Sequence, residues 1–240
     1  MHRIRAITLD LDDTLWEIGP VIKRAEAELW AWLGEHFPKI PETYSSEQAY
    51  ALREQVIDKH REQSHDFRFL RRTVLEHMAQ TVGYSCDLVD DAFDVFDRAR
   101  NEVELYSDVL PALELLTEHF SLVAVTNGNA NLRRIGIRDL FFDVVTAVDV
   151  GAAKPARSIF EEAVNRAGVG AEETLHVGDH PEIDIAGAQE AGLRTAWINR
   201  NGDGWPEHVA PPDVIVSTIA ELLTVLEPAI ANSASKTANE

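Results

Sequence analysis

The chain opens on an apolar, β-favouring run over residues 4–9 that ends in three carboxylates, Asp10, Asp12 and Asp13. The pattern then turns helical. Val21, Ala25, Leu29, Trp32, Leu33 and His36 recur at helical spacing, and Pro38 and Pro41 close that helix. Ala49, Leu52, Val56 and Ile57 mark a second helix. Leu70, Val74, Leu75, Met78 and Val82 mark a third, ending near Gly83, and Leu88, Ala92, Val95, Phe96, Ala99 and Val103 a fourth. Four amphipathic helices with short connections predict a small bundle. Residues two apart do not share a helix face, so Trp32 is expected in the bundle core and Trp30 less buried.

From Tyr106 onward, short apolar runs alternate with helical stretches. Strands are predicted over 121–126, 142–147, 174–177, 195–199 and 214–217. Helices are predicted over 109–119, up to about residue 135, and over 157–167, 183–191 and 219–226. This alternation implies an α/β fold with a parallel sheet covered on both faces. The predicted organisation is an α/β catalytic core from residues 1–16 and 106–228, a helical insertion at 17–105, and a frayed, small and polar tail at 229–240. An insertion with two crossings can hinge as a lid that excludes water and selects a substrate.

Composition narrows the partners. A net charge of −19 argues against binding the nucleic-acid backbone or an anionic membrane surface, and requires local cations for any anionic substrate. The lone Cys86 permits no internal disulfide. No run approaches the roughly 18–20 apolar residues of a membrane span. The N-terminus starts a strand almost at once, without a signal-peptide apolar region, so a cytoplasmic enzyme is expected. Monomer and homodimer both remain open.

Open parallel sheets bind ligands at the carboxyl ends of their strands. Four features fall there: Asp10, Asp12 and Thr14; Thr126-Asn127; Lys154; and Asp179 with Asp184. Asp10 and Asp12 point the same way as the strand ends, and a divalent cation or opposed acid and base roles would relieve their repulsion. Carboxylates, a hydroxyl with backbone N–H groups and one cation fit metal-assisted phosphoryl transfer. Hard oxygen donors without a His or Cys cluster point to Mg²⁺. Each feature also has a plainer reading. Asp10 and Asp12 could be a charged strand end followed by a helix cap, Asn127-Gly128 is a common turn pair, Lys154 could be a solvated surface lysine, and Asp184 could cap the following helix.

Taken together, Asp10-Leu-Asp12-Asp-Thr14-Leu, Val125-Thr126-Asn127-Gly128, Lys154-Pro155 and Gly178-Asp179-His-Pro-Glu-Ile-Asp184 resemble, in order and spacing, the four motifs of the haloacid dehalogenase-like hydrolase superfamily. The resemblance implies a Rossmann-like parallel-sheet core with an inserted, all-helical cap of four-helix-bundle type. It implies that Asp10 is the nucleophile that becomes an aspartyl phosphate and that Asp12 is the acid and base, its carbonyl also a metal ligand. Thr126 and the Asn127 N–H would bind phosphoryl oxygens, and Lys154 would offset charge. Asp179, with Asp184 directly or through water, would hold Mg²⁺, and Thr14 would buttress the loop. Dehalogenases lack an acid at the Asp12 position, because a halide leaves without a proton. The acid present here therefore favours phosphoester hydrolysis. The stretches 10–22, 123–130 and 176–179 are similar to the bacterial branch that dephosphorylates flavin mononucleotide and 5-amino-6-(5-phosphoribitylamino)uracil. A sugar phosphomutase, another nucleotide or phosphoglycolate-type phosphatase, and a non-catalytic binding protein are the alternatives. Arg68, Arg71 and Arg72 could reach a substrate phosphate or pair with nearby acids. His176 reads as a core histidine, while His180 could touch substrate or fill the loop.

Overall fold

A computed structural model describes residues 3–237. Strand β1 (Ala6–Leu9) leads into helices α1 (Ile18–His36), α2 (Lys39–Thr43), α3 (Ser46–Lys59), α4 (Phe67–Thr81), α5 (Leu88–Arg100) and α6 (Val109–Thr117). Then follow β2 (Ser121–Thr126), α7 (Leu132–Ile135), β3 (Asp143–Thr146), α8 (Ala147–Val150), α9 (Arg157–Ala167) and β4 (Thr174–Gly178). A π-helical turn (Pro181–Ala186), α10 (Gly187–Glu190), β5 (Arg194–Ile198), β6 (Val214–Val216) and α11 (Ile219–Thr237) complete the chain. Two compact units result. One holds residues 1–17, 104–128 and 136–240, and the other residues 18–103 and 129–135.

In the first unit, six parallel strands lie in the order β3-β2-β1-β4-β5-β6. The chain winds outward from β1 in one direction and from β4 in the other, so the order reverses between β1 and β4. In an open parallel sheet, that reversal opens a crevice at the carboxyl ends of the two strands. All four residues of β1 are buried, as a central parallel strand requires. Val123, Val125, Val145, Ile159, Phe160 and Ala163 form a packed layer with Ala188 and Leu193. Gly187 permits its close approach, since a Cβ there would lie 2.7 Å from Phe160 and 2.9 Å from the Pro155 backbone.

The second unit packs α1, α3, α4 and α5 around Leu29, Leu33, Leu52, Val56, Leu75, Met78, Phe93 and Phe96. Ser45 and Gln48 form a capping box on α3, and the Asp66 carboxylate accepts from Phe69 N–H to cap α4 at 2.9 Å. Arg71 pairs with Glu26 at 2.8 Å and Arg72 pairs with Asp90, so these two follow the ion-pairing reading. The Arg68 and Arg71 guanidinium groups lie over the rings of Phe93 and Phe96.

Several expectations need correction. Pro38 ends α1, but Pro41 sits inside α2, which the apolar spacing did not reveal. It occupies the first turn, where a backbone N–H has no intrahelical partner to lose. Trp30 and Trp32 are both partly buried, and His36 is exposed with its ring stacked on Trp32. Residues 129–135, placed with the sheet by sequence, group with the helical unit. There Asn131 N–H donates to Asn101 at 2.7 Å and Arg134 pairs with Asp97 at 2.8 Å. Helix α11 continues through Pro228 to Thr237, because its buried spacing (Ile219, Leu222, Leu226, Ala229) runs past the proline. The rest of the expected tail, residues 238–240, lies outside the described residues. Among those described, no helix is long and apolar enough to cross a membrane.

Candidate active site

The reversal between β1 and β4 places the two strand ends side by side. Asp10 N–H extends the ladder to Val177 O at 2.9 Å. Beyond it the chain turns tightly on itself: Leu15 N–H donates to Leu11 O, Asp13 N–H donates to Trp16 O, and Asp13 takes a left-handed backbone with φ 62°. This turn carries the Thr14 hydroxyl back to donate to Asp10 Oδ2 at 3.0 Å, with Asp179 Oδ1 at 3.3 Å. The other oxygen of buried Asp10 accepts from Lys154 Nζ. Lys154 Nζ also donates to Asp184 Oδ1 at 2.6 Å. The structure thus brings Asp10, Lys154, Asp179 and Asp184 together, with Thr14 between two of the carboxylates.

Asp184 reaches this cluster from inside the π-helical turn. His180 caps that turn by accepting from Ile183 N–H at 3.3 Å, so Asp184 is not the cap. The turn begins two residues before the expected helix, with Pro181 at its first position. Asp184 Oδ2 accepts from His180 N–H at 3.0 Å, and Oδ1 lies 3.4 Å from His176 Nε2. His176 is fully buried, and its Nδ1 lies 2.9 Å from the Thr8 hydroxyl. Gly178 is required here. A Cβ on it would stand 2.4 Å from Asp184 Cγ.

Thr126 ends β2 and Asn127 follows it. Gly128 N–H donates to Thr126 Oγ1 at 2.9 Å, which leaves the hydroxyl hydrogen available to another acceptor. The Asn127 side chain is engaged with the backbone of Lys154, accepting from its N–H at 2.6 Å and donating to its carbonyl at 3.0 Å. Asp12 is less buried than Asp10, and its Oδ1 accepts from Trp16 Nε1 at 2.9 Å.

Sequence reasoning missed two supports. Arg200, just past β5, donates to the Thr14 carbonyl through Nε at 3.1 Å and Nη2 at 3.0 Å. Its guanidinium is anchored on Asp108 at 3.0 Å and covered by the Tyr106 ring at 3.9 Å. Trp197 Nε1 donates to the Asp179 carbonyl at 2.6 Å. The available signal was position alone: an arginine and a tryptophan at the carboxyl end of a predicted strand.

Burial and crowding set the charges. Burial pushes the Asp10 carboxyl well above its ordinary range, opposed by Lys154 and reinforced by Asp184 and Asp179. Burial also raises Asp179, with Asp184 and Asp13 adding repulsion, to about 7. Burial alone would raise Asp184, but Lys154 and the His176 hydrogen bond hold it below the carboxylate range. Lys154 is driven upward by Asp10 and Asp184 despite its burial, so it stays protonated. Once ionised, the three carboxylates exceed the one ammonium by two negative charges, the charge of one divalent cation. Oxygens of Asp10, Asp179 and Asp184 lie within 4.8 Å of one another, and this hard, all-oxygen donor set suits Mg²⁺.

Comparison with known proteins gives the same direction. Residues 4–192 match the haloacid dehalogenase-like hydrolase family. The 5-amino-6-(5-phospho-D-ribitylamino)uracil phosphatase YigB of Escherichia coli (strain K12) is 31% identical over 234 residues, covering 94% of this chain and 98% of its own. A glyceraldehyde 3-phosphate phosphatase of Methanopyrus kandleri is 30% identical, covering 93% and 97%. The crystal structure of a 2-haloacid dehalogenase from Pseudomonas syringae pv. Tomato DC3000 superposes with a TM-score of 0.89 at 41% identity, covering 93% and 98%. With its sheet order, its strand-end carboxylates and a family match over most of its length, this chain belongs to the haloacid dehalogenase-like hydrolase family.

Proposed function

We propose that the chain is a Mg²⁺-dependent phosphatase that hydrolyses a small phosphorylated metabolite through an aspartyl phosphate on Asp10. The observation that carries this reading is two carboxylates on one turn in different surroundings. Asp10 is buried between Lys154 and Thr14, while Asp12 is more open with one oxygen on an indole N–H. Such a difference suits separate roles. The Asp10 carboxylate attacks phosphorus, and as the bond to the leaving oxygen breaks, the Asp12 carboxyl gives that oxygen its proton. The Asp12 carboxylate then takes a proton from water. The water oxygen attacks the acyl phosphate, the P–O bond to Asp10 breaks, and phosphate departs. Lys154 offsets the charge of Asp10, and the Thr126 hydroxyl and Asn127 N–H bind phosphoryl oxygens. Mg²⁺, held by Asp10, Asp179, Asp184 and the Asp12 carbonyl, would supply neutralising charge beside those oxygens. The helical unit is the part of the chain to which we assign substrate selection.

5-Amino-6-(5-phosphoribitylamino)uracil is a substrate we favour, supported by the likeness to YigB; flavin mononucleotide is the other, on the resemblance of the stretches 10–22, 123–130 and 176–179. The second reading is dehalogenation, favoured by the likeness to the 2-haloacid dehalogenase of Pseudomonas syringae. The carboxyl of Asp12 weighs against it, since a departing halide needs no acid. A panel of both phosphates, nucleoside monophosphates, phosphoglycolate, sugar phosphates and 2-chloropropionate separates these. The expected result is Mg²⁺-dependent phosphate release that disappears in Asp10→Asn, with no chloride release. Chloride without phosphate reverses the reading, and isomerised sugar phosphate outpacing free phosphate makes the chain a mutase.

A further inference from the structure

We propose that Trp16 is a positioning residue for Asp12, its indole N–H holding one carboxyl oxygen so that the other exchanges the proton with the leaving group and with water. The inference rests on the phosphatase reading above. Trp16 is fully buried, and its Nε1 donates to Asp12 Oδ1 at 2.9 Å. The main chain that carries the indole is held on both sides. The Trp16 carbonyl accepts from Asp13 N–H at 2.7 Å, and the Trp16 backbone is bridged to Asp12 on one side and Leu105 on the other.

The chemistry of the donor matters. An indole N–H donates only, whereas a hydroxyl can reverse its direction. Oδ1 accepts from it equally as the carbonyl oxygen of a protonated carboxyl and as half of a carboxylate. The contact therefore survives both halves of the cycle, and the proton is confined to Oδ2. A serine or tyrosine hydroxyl at position 16 could turn to accept a hydrogen bond from that proton and hold it away from the substrate. Burial of Trp16 also keeps water from competing for the indole N–H.

The test removes the donor while keeping the ring. Site-specific replacement of Trp16 by β-(3-benzothienyl)alanine puts sulfur where the N–H was, and Trp16→Phe serves as a second variant. Both are assayed with an alkyl phosphomonoester, whose leaving oxygen needs a proton, and with p-nitrophenyl phosphate, whose leaving group does not. Asp12→Asn is run alongside. The expected result is a fall of about 10–100-fold in kcat/KM for the alkyl ester, the scale of a misplaced catalytic group. The aryl ester should change by less than about threefold, since proton donation contributes little to its departure. An equal fall on both esters, or a lower melting temperature with no split between them, overturns the proposal and leaves Trp16 a packing residue. If Asp12→Asn splits the two esters and the Trp16 variants do not, the positioning role fails while the acid–base role stands. If Asp12→Asn shows no split, both fail.

Discussion

Asn127 grips Lys154 at both backbone polar atoms, accepting from its N–H at 2.6 Å and donating to its carbonyl at 3.0 Å. One side chain thereby fixes the end of β2 to the segment that carries the buried ammonium. The resemblance assigned Asn127 a backbone role, and the side chain supplies a second, mechanical one. In Asn127→Ala both bonds are lost, at about 1 kcal/mol each. Lys154 loses its registration with Asp10, so kcat/KM is expected to fall by about 10–100-fold. Asn127→Asp keeps the acceptor but not the donor and should lie between. Steady-state kinetics beside circular dichroism check this, and the ranking of the three proteins is the outcome that decides it.

Lys154 is the positive charge set among the buried carboxylates. Removing it as Lys154→Met leaves Asp10 and Asp184 facing each other, and losing one partner of a buried pair costs about 3–5 kcal/mol. A fall in melting temperature of roughly 10 °C follows for a chain of this size. Added Mg²⁺ should restore part of that stability, because it supplies positive charge to the same carboxylates. Calorimetry with and without the ion measures both effects, and a variant as stable as the parent in chelator contradicts the prediction.

The raised Asp179 makes metal-free stability depend on pH. Its folded-state value of about 7 lies above the ordinary carboxylate value, so between the two the folded chain holds a proton that the unfolded chain has released. Stability from this group is full below the unfolded value and is lost as pH rises toward 7. Asp184 runs the other way, its contribution being lost only as pH falls below the ordinary carboxylate range. In chelator, the melting temperature should therefore decline from about pH 5 to pH 8, and the increment added by Mg²⁺ should grow over the same interval. Thermal scans at three pH values with and without Mg²⁺ test this, and an increment independent of pH rules it out.

Arg200 holds the Thr14 carbonyl with two N–H groups while a third sits on Asp108. A planar fork makes these contacts at once, and a lysine ammonium cannot reproduce them. Arg200→Lys should lower kcat by about tenfold with little change in KM, because the Thr14 hydroxyl orients Asp10 and does not select the substrate. A rise in KM at constant kcat would place Arg200 in substrate binding.

The sequence exposed those parts of the site that chemistry forces into short patterns. A strand ending in Asp10-Leu-Asp12, a turn at Thr126-Asn127 and a second acidic strand end at Asp179 stand out because strand ends seldom collect such groups. What stayed hidden depends on which distant segments meet. Arg200 and Thr14 become neighbours only once β5 lies two strands from β1, and His176 gains its role from Asp184 beyond the strand end. The start of the π-helical turn was misjudged because apolar spacing begins at Ile183, while His180 and Pro181 set the actual boundary. Helix α11 was cut short for a related reason: Pro228 reads as a stop, yet one missing N–H costs less than abandoning a buried apolar face. The helical unit was legible as helices, but which of its side chains meet a substrate is encoded in no periodicity.

Gly178 ties the choice of residue at 178 to the choice at 184. The volume that any β-carbon at 178 would occupy is already filled by the Asp184 carboxyl. A larger residue at 178 is tolerated only if 184 shrinks, and a shrunken 184 abandons the Lys154 ammonium. No single substitution passes between the two arrangements without a non-functional intermediate. In descendants of this chain, glycine at 178 and aspartate at 184 must be inherited together or replaced together.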